Sequence, residues 1–387
     1  MTKMFTYDDA FDMSSWSILT DFAGGDFGVE TADKFTVLSA TQKYVFAGSG
    51  FTYDSNGMPT DGTITHLKVL DQSNGAFDVQ VSHMDLTVQQ LETFALTNDV
   101  NGFESAIFSG NNTFNVGNSD FHNSNAVVHL NGFGGNDTFN IGYDFNPADT
   151  FDGGTGYNTV DLLTLDPNYI GPGTFQNIQK IVLTGNGPDI DIEDPNISGG
   201  KTLTVDASHV TASPGFQIFA QLSVNVHLIG SAGGDLLVGG TGNDQLTGGL
   251  GSDMLIGNGG HDTYIYNSVA ESTGSNFDSI AGFDPKLDHF KVPVAVTGID
   301  PALTTGTLDD TQFDADFSAA LAGHLEANHA ILFAPDSGTD KGYTFLIIDQ
   351  NGQAGYQAGG DLVMLVDGGG GTHAQNLDLL SAANFIV

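Results

Sequence analysis

The chain has 387 residues, too many for one ordinary core at about 150 residues per domain, and its 47 acids against nine bases give a net charge of −38. A surface of this sign repels phosphate, which argues against nucleic acid and anionic lipid as partners. With no cysteine there is no disulfide framework, thiol nucleophile or Cys-ligated zinc site.

All nine bases are Lys, so bidentate capture of phosphate or carboxylate by Arg is impossible, and six of the 47 acids are Glu, leaving 41 Asp. The 52 Gly are about twice the usual share. Hydrophobic residues still make up 40%, with 28 Phe, so the chain can bury a core. No apolar run reaches the roughly 18 residues of a membrane span, so no transmembrane insertion is expected. The start, MTKMFTYDDAFDM, lacks the basic-then-apolar pattern of a cleavable signal peptide. An excess of Asp calls for a hard counter-cation, and calcium, which takes oxygen ligands, fits best.

Residues 1–100 read as a β-rich domain: β-branched and aromatic runs between Gly, Asn and Asp clusters, with Asn56-Gly57 a hairpin signal. The segment 85–96, DLTVQQLETFAL, reads as one short helix capped by Asp85. Residues 101–229 carry a loose repeat. NNTFNVG (111–117) returns as NDTFNIG (136–142) and as YNTVDL (157–162), followed by the strand-like runs IQKIVLTG, KTLTVDAS and VNVHLIG. One short strand every 20–25 residues suggests degenerate β-solenoid rungs, with an evenly spaced sandwich as the alternative. Residues 271–387 read as a β-rich cap with a helix at 314–325 and two strands around a turn in TFLIIDQNGQAGYQAGGDLVMLV.

Residues 230–265 divide into four nonapeptides, GSAGGDLLV, GGTGNDQLT, GGLGSDMLI and GNGGHDTYI, on the pattern G-G-x-G-x-D-x-U-x, where U is large and apolar. Asp235, Asp244, Asp253 and Asp262 stand nine apart, and Leu237, Leu246, Leu255 and Tyr264 keep the same phase. A flexible Gly/Asp linker is the bland alternative, but a linker needs no apolar residue at every ninth position. This stretch resembles the RTX calcium-binding repeat of proteins exported by Gram-negative type I secretion systems. Isolated copies lie at 132–140 and at 153–161, the latter with Asn158 in place of Asp. Residues 271–387 resemble the C-terminal domain of serralysin-like secreted proteins, which implies an uncleaved export signal.

The resemblance implies a parallel β-roll over 230–270, two nonapeptides per coil, with like turns stacked 18 residues apart. Two stacked carboxylates about 5 Å apart repel by about 1 kcal/mol in water and about 3 kcal/mol at an effective dielectric of 20. One inward apolar side chain per nine ordered residues offers little against chain entropy. Calcium reverses the carboxylate repulsion, so its binding energy becomes folding energy. The segment is therefore predicted to be largely disordered in chelator. The family's ligand pattern joins Gly230, Ala232 and Asp235 to Gly249, Gly251 and Asp253. A second site joins Gly239, Thr241 and Asp244 to Asn258, Gly260 and Asp262. That makes two calcium ions or more, with Asp137 a candidate third centre. The next nonapeptide, YNSVAESTG, breaks the pattern.

Catalytic motifs are missing. There is no H-E-x-x-H; in HLEANH, His324 and His329 are five apart, where zincin helices need four, and the segment reads as surface. There is no G-x-S-x-G. DIDIEDP (189–195) reads as a solvated or cation-binding loop. The D-x-N-G segments at 54–57 and 349–352 read as turns rather than EF-hands, with Asp361 available to a non-standard site.

The expectation is an all-β, elongated protein: an N-terminal β-rich domain, solenoid rungs, a calcium-loaded roll and a C-terminal cap. It would leave a Gram-negative cell through the type I apparatus and fold at extracellular calcium as a non-catalytic surface, matrix or adhesive protein. Its partners would be cell-surface or extracellular polysaccharide. A secreted polysaccharide-active enzyme is the alternative, disfavoured by the lack of Arg to neutralise uronate charge.

Overall fold

The computed structural model describes residues 2–6, 17–24, 26–71, 77–116, 127–142, 148–163, 169–185, 189–193, 197–210, 215–220, 222–367 and 377–387. The chain is strand-dominated and divides into two compact units. One comprises Met1–Pro167, Gly171–Val182 and Asn196–Gly199; the other comprises Asn168–Ile170, Leu183–Pro195 and Gly200–Val387. No helix among the described residues is long and apolar enough to cross a membrane.

The first unit begins as an antiparallel meander of Asp26–Thr31, Lys34–Leu38, Gln42–Tyr53, Pro59–Asp71 and Phe77–Thr87. The Asn56-Gly57 turn joins the two longest strands. Asp54 Oδ1 accepts the Asn56 and Met58 N–H, and Gly57 takes φ 82°, a conformation open to glycine. Thr2–Thr6 closes this meander and changes the sheet's character. It pairs antiparallel with Phe77–Thr87 on one side and parallel with Asn112–Val116 on the other. Thr138–Ile141 and Thr159–Leu162 then follow in parallel, with Phe114, Phe139 and Val160 in register and fully buried. The Phe114 and Phe139 rings stack at 4.8 Å. The 25- and 21-residue spacings of the sequence repeat are thus the strand registers.

The helix expected at 85–96 is Val88–Thr97, and its cap is Thr87, not Asp85. Thr87 accepts the Gln90 N–H while the Gln90 side chain accepts the Thr87 N–H, a capping box that leaves Asp85 in the preceding strand. Two further helices, Ile18–Ala23 and Val100–Phe108, were not expected, so residues 1–100 hold more than the one short helix anticipated. Asp99 caps the later one through the Gly102 N–H, and it buries Phe103, Ile107 and Phe108.

The second unit holds two parallel strand rows. One runs Leu203–Asp206, Val226–Ile229, Gln245–Thr247, Thr263–Ile265, His289–Lys291 and Phe385–Ile386. The other runs Tyr169–Ile170, Asp189–Ile192, Gln217–Ala220, Leu236–Val238, Met254–Ile256 and Asp278–Ala281, then continues to Asp361–Asp367. From there the sheet turns antiparallel through Thr344–Asp349 and His329–Phe333. The helix expected at 314–325 is Phe313–Leu321, and its Phe313, Phe317 and Leu321 join Phe333, Phe345, Ile347 and Val363 in one apolar cluster. The two strands expected around the 349–352 turn are present, with Asp349 paired to Asp361 across the hairpin.

Candidate metal centre

Each nonapeptide is a six-residue turn followed by a three-residue strand, and alternate strands share a row. Leu236, Leu237 and Val238 pair with Met254, Leu255 and Ile256, and Gln245 and Leu246 pair with Thr263 and Tyr264, all 18 residues apart. Leu237, Leu246 and Leu255 are fully buried and Tyr264 nearly so. The middle residue of each strand is therefore inward, and the turns ending in Asp235 and Asp253, and in Asp244 and Asp262, are brought together.

What joins the stacked turns is a ladder from backbone to carboxylate. The Asp235 N–H donates to Asp253 Oδ1 at 2.7 Å, and the Asp244 N–H to Asp262 Oδ1 at 2.9 Å. The ladder runs beyond the repeats in both directions. Phe216 and Val226 donate to Asp235 and Asp244, while Asp253 and Asp262 donate to Asp278 and Asp288. Asp278 and Asp288 escaped the sequence reading because their spacings, 25 and 26 residues, depart from 18. The signal was nevertheless present: both sit two residues before a buried aromatic or aliphatic, in Asp278-Ser279-Ile280 and Asp288-His289-Phe290.

The second carboxylate oxygens differ. Ser231 N–H and Gly240 N–H occupy Oδ2 of Asp235 and Asp244, at 2.6 and 2.8 Å. Asp253 Oδ2 is buried without any hydrogen-bond donor. Burial pushes Asp253 and Asp262 up to about 7 and Asp278 up to about 8, with neighbouring acids adding to the shift. Asp235, Asp244 and Asp288 are raised for the same first reason, burial.

The remaining expected ligands are backbone groups of the turns. Gly249, Gly251, Asn258 and Gly260 take positive φ, whereas the turns at 230–235 and 239–244 contain no such residue, so the later turns are not backbone copies of the earlier ones. A side chain on Gly249 would collide with the Ser231 carbonyl, and one on Gly251 with the Gly233 carbonyl. In the other row, one on Gly260 would collide with the Gly242 carbonyl. Turn carbonyls thus lie directly against the facing turn, among buried carboxylates. Around Gly239 and Thr241 the surface is a depression also lined by Glu193, Leu222, Ser223, Gly240 and Asn258. Every donor in the set is a hard oxygen, which suits Ca²⁺.

Asp137 lies in the first unit. Its Oδ1 accepts the backbone and side-chain N–H groups of Asn112, at 2.8 and 2.9 Å, and its Oδ2 is buried without a donor. Burial pushes it up to about 7. Its ladder neighbours are amides: the Asp137 N–H donates to Asn158 Oδ1, and the Asn158 N–H to Gln179 Oε1. His324 is exposed, while His329 Nδ1 meets Asp300 Oδ1 at 2.9 Å, so the two histidines share no site. Of the 189–195 segment, residues 194 and 195 lie outside the described residues.

A family model described as the RTX calcium-binding nonapeptide repeat matches residues 229–264, in four copies. Repeats of this kind bind calcium. No curated protein matches the chain.

Proposed function

We propose that this is a secreted calcium-binding protein whose turns at 230–265 form a β-roll that folds when Ca²⁺ enters between them. One ion would sit between the turns of Asp235 and Asp253 and a second between those of Asp244 and Asp262, with turn carbonyls completing each oxygen shell. The observation that carries this reading is the contrast between the two ladders. In the first unit this ladder holds one buried carboxylate, Asp137, which accepts the Asn112 N–H, and the next two acceptors are the amides of Asn158 and Gln179. In the second unit the same hydrogen bond is made by six buried carboxylates in two rows, Asp235, Asp253 and Asp278, and Asp244, Asp262 and Asp288. The hydrogen bond alone does not require the charge. Six buried carboxylates stay ionised together only with a cation among them; without one, burial favours their protonated forms. Asp137 would give a third ion only one carboxylate, because its neighbours are Asn112 and Asn158.

Such repeats are typical of proteins secreted by Gram-negative bacteria, and export unfolded through a type I apparatus followed by folding at millimolar calcium fits a metal-dependent roll. A non-catalytic surface, matrix or adhesive role follows from a chain dominated by strand rows and without a recognised catalytic motif. The test is circular dichroism of the full chain in chelator and through a calcium titration, beside Asp244→Ala. Strand signal should grow with calcium and the variant should need more of it. A native spectrum in chelator that calcium leaves unchanged would refute the folding switch. A glycan array followed by turnover assays on each hit addresses the role: binding without product is expected, and product formation lost on one carboxylate substitution would mark an enzyme instead.

A further inference from the structure

His329 shares no site with His324, but the fold gives it other neighbours. It opens the strand His329–Phe333, which runs parallel to the edge strand Gly298–Ile299, with Gly298 opposite His329 and Ile299 opposite Ala330. Asp300 follows that edge strand and donates its N–H to the Ala330 carbonyl at 2.8 Å. A Cβ on Gly298 would fall 2.6 Å from the His329 ring, so the glycine leaves the room in which the ring lies against the edge strand. The turn before His329 is pinned. The His329 N–H closes it on the Glu326 carbonyl at 3.2 Å, the Asn328 N–H donates to Asp349 Oδ2 at 2.6 Å, and the Asn328 carbonyl accepts the Thr297 N–H at 2.8 Å. Asn328 takes φ 59° there, a conformation that Asn tolerates.

These constraints converge on one ring nitrogen. His329 Nδ1 lies 2.9 Å from Asp300 Oδ1 and 3.8 Å from Glu326 Oε2. The ligand atoms of Asp300, Glu326 and His329 all lie within 4.8 Å of one another. Asp300 is 8% exposed, and its other oxygen, Oδ2, is fixed by the Glu326 N–H at 2.7 Å. The ring offers a single proton at Nδ1, and 3.8 Å is beyond a hydrogen bond, so that proton serves Asp300 and not Glu326. Neither carboxylate has a Lys ion pair among the described residues. Two acids are thus held beside one donor that satisfies only one of them.

We propose that Asp300, Glu326 and His329 bind a zinc ion, at a site separate from the nonapeptide turns. Imidazole with two carboxylates is a ligand set that Zn²⁺ accepts, whereas calcium seeks oxygen alone. The two negative charges also match the ion's two positive ones. Tetrahedral zinc with bonds of ordinary length sets its ligand atoms about 3.3 Å apart. The separations of 2.9 and 3.8 Å stand on either side of that value, so small side-chain shifts complete the site. The ion takes the lone pair of Nδ1, and the ring keeps its proton on Nε2. The Glu326 side chain is 76% exposed and that of His329 23%, which gives the ion an entry path and leaves its fourth position to water. Once bound, the ion clamps the edge strand to the 326–329 turn.

The experiment uses the full chain at saturating calcium. Bound zinc is counted by equilibrium dialysis against micromolar zinc with elemental analysis, for the wild type, His329→Gln, Asp300→Asn and Glu326→Gln. Cobalt(II) in place of zinc reports the geometry, through the visible absorption of a tetrahedral site. His329→Gln and Asp300→Asn should each hold one zinc fewer than the wild type and lose the tetrahedral cobalt band. Glu326→Gln, at an exposed position that does not threaten folding, should weaken zinc binding by about tenfold or more. Equal zinc counts in the wild type, His329→Gln and Glu326→Gln would overturn the proposal, as would zinc that millimolar calcium displaces.

Discussion

The backbone N–H of Asp235 ends on Oδ1 of Asp253, 18 residues later, at 2.7 Å, while Oδ2 of the same carboxylate is buried with no donor at all. One oxygen is a structural rung and the other is free for a cation. Substitutions can separate these two jobs. Asp253→Asn keeps an acceptor for the rung and removes the charge. Its calcium midpoint should rise, and the chain in chelator should be no less stable than wild type. Asp253→Ala loses the rung as well and leaves the Asp235 N–H unsatisfied, at a further cost of about 1–3 kcal/mol. Chemical denaturation at saturating calcium and in chelator reads both differences. Equal behaviour of the two variants would contradict the division of labour.

Protons should partly replace calcium. Burial pushes Asp253 and Asp262 up to about 7 and Asp278 up to about 8 in the ion-free fold, against ordinary Asp values near 4 in the unfolded chain. Below about pH 4 these groups are protonated in both states, so their burial carries no charge penalty. Between about pH 4 and pH 8 the ion-free fold holds more protons than the unfolded chain, and its stability falls as pH rises. In chelator, strand signal should therefore be greatest in acid and decline through this window. With saturating calcium the dependence should reverse, because protons then compete with the ion. A chelated chain whose stability is flat from pH 4 to 8 would contradict the buried-carboxylate account.

Much of this arrangement was legible in the residues. The nine-residue phase of Asp235, Asp244, Asp253 and Asp262, with a buried residue two places on, gives the row registers directly, because the middle side chain of each three-residue strand is the one turned fully inward. Phe114, Phe139 and Val160 were legible because the recurring NNTFNVG, NDTFNIG and YNTVDL segments set them in register on alternating, inward positions of longer strands. The rungs at Asp278 and Asp288 were hidden because longer excursions replace the compact turn, so the period fails although the Asp-x-apolar unit survives. The helix Val100–Phe108 was hidden by Gly102, a residue that usually weakens helices and here sits in the first turn at the Asp99 cap.

Burial within a repeat should dominate over composition. Leu246 is fully buried in its row, and Leu246→Ala should cost about 2–5 kcal/mol through lost contacts and a cavity. Leu250 stands at the turn position x of the third nonapeptide and is 50% exposed, so Leu250→Ala should fall within about 0.5 kcal/mol of wild type. Both are measured by urea denaturation at saturating calcium. A large effect at Leu250 would indicate that a further surface covers this turn.

Asp278 tests whether the ion-binding rows extend past the matched repeats. It accepts the Asp253 N–H at 2.9 Å, is fully buried, and lies beside the buried Tyr266, whose hydroxyl its charge holds well above the usual range after burial itself. If the row ended at Asp253, Asp278→Asn would keep the rung and leave calcium affinity unchanged. If the row continues, the carboxylate contributes to the field that holds the ion nearest Asp253, and Asp278→Asn should raise the calcium midpoint while leaving Asp244 and Asp262 unaffected. Tyr266 gives an independent readout. In the ion-free chain its phenol is held protonated by the charges of Asp278 and Asp253 as well as by burial. Removing the Asp278 charge should therefore lower its spectrophotometric titration midpoint, and adding calcium to the wild type should move it in the same direction. A phenol whose titration ignores both changes would place the end of the charged row at Asp253.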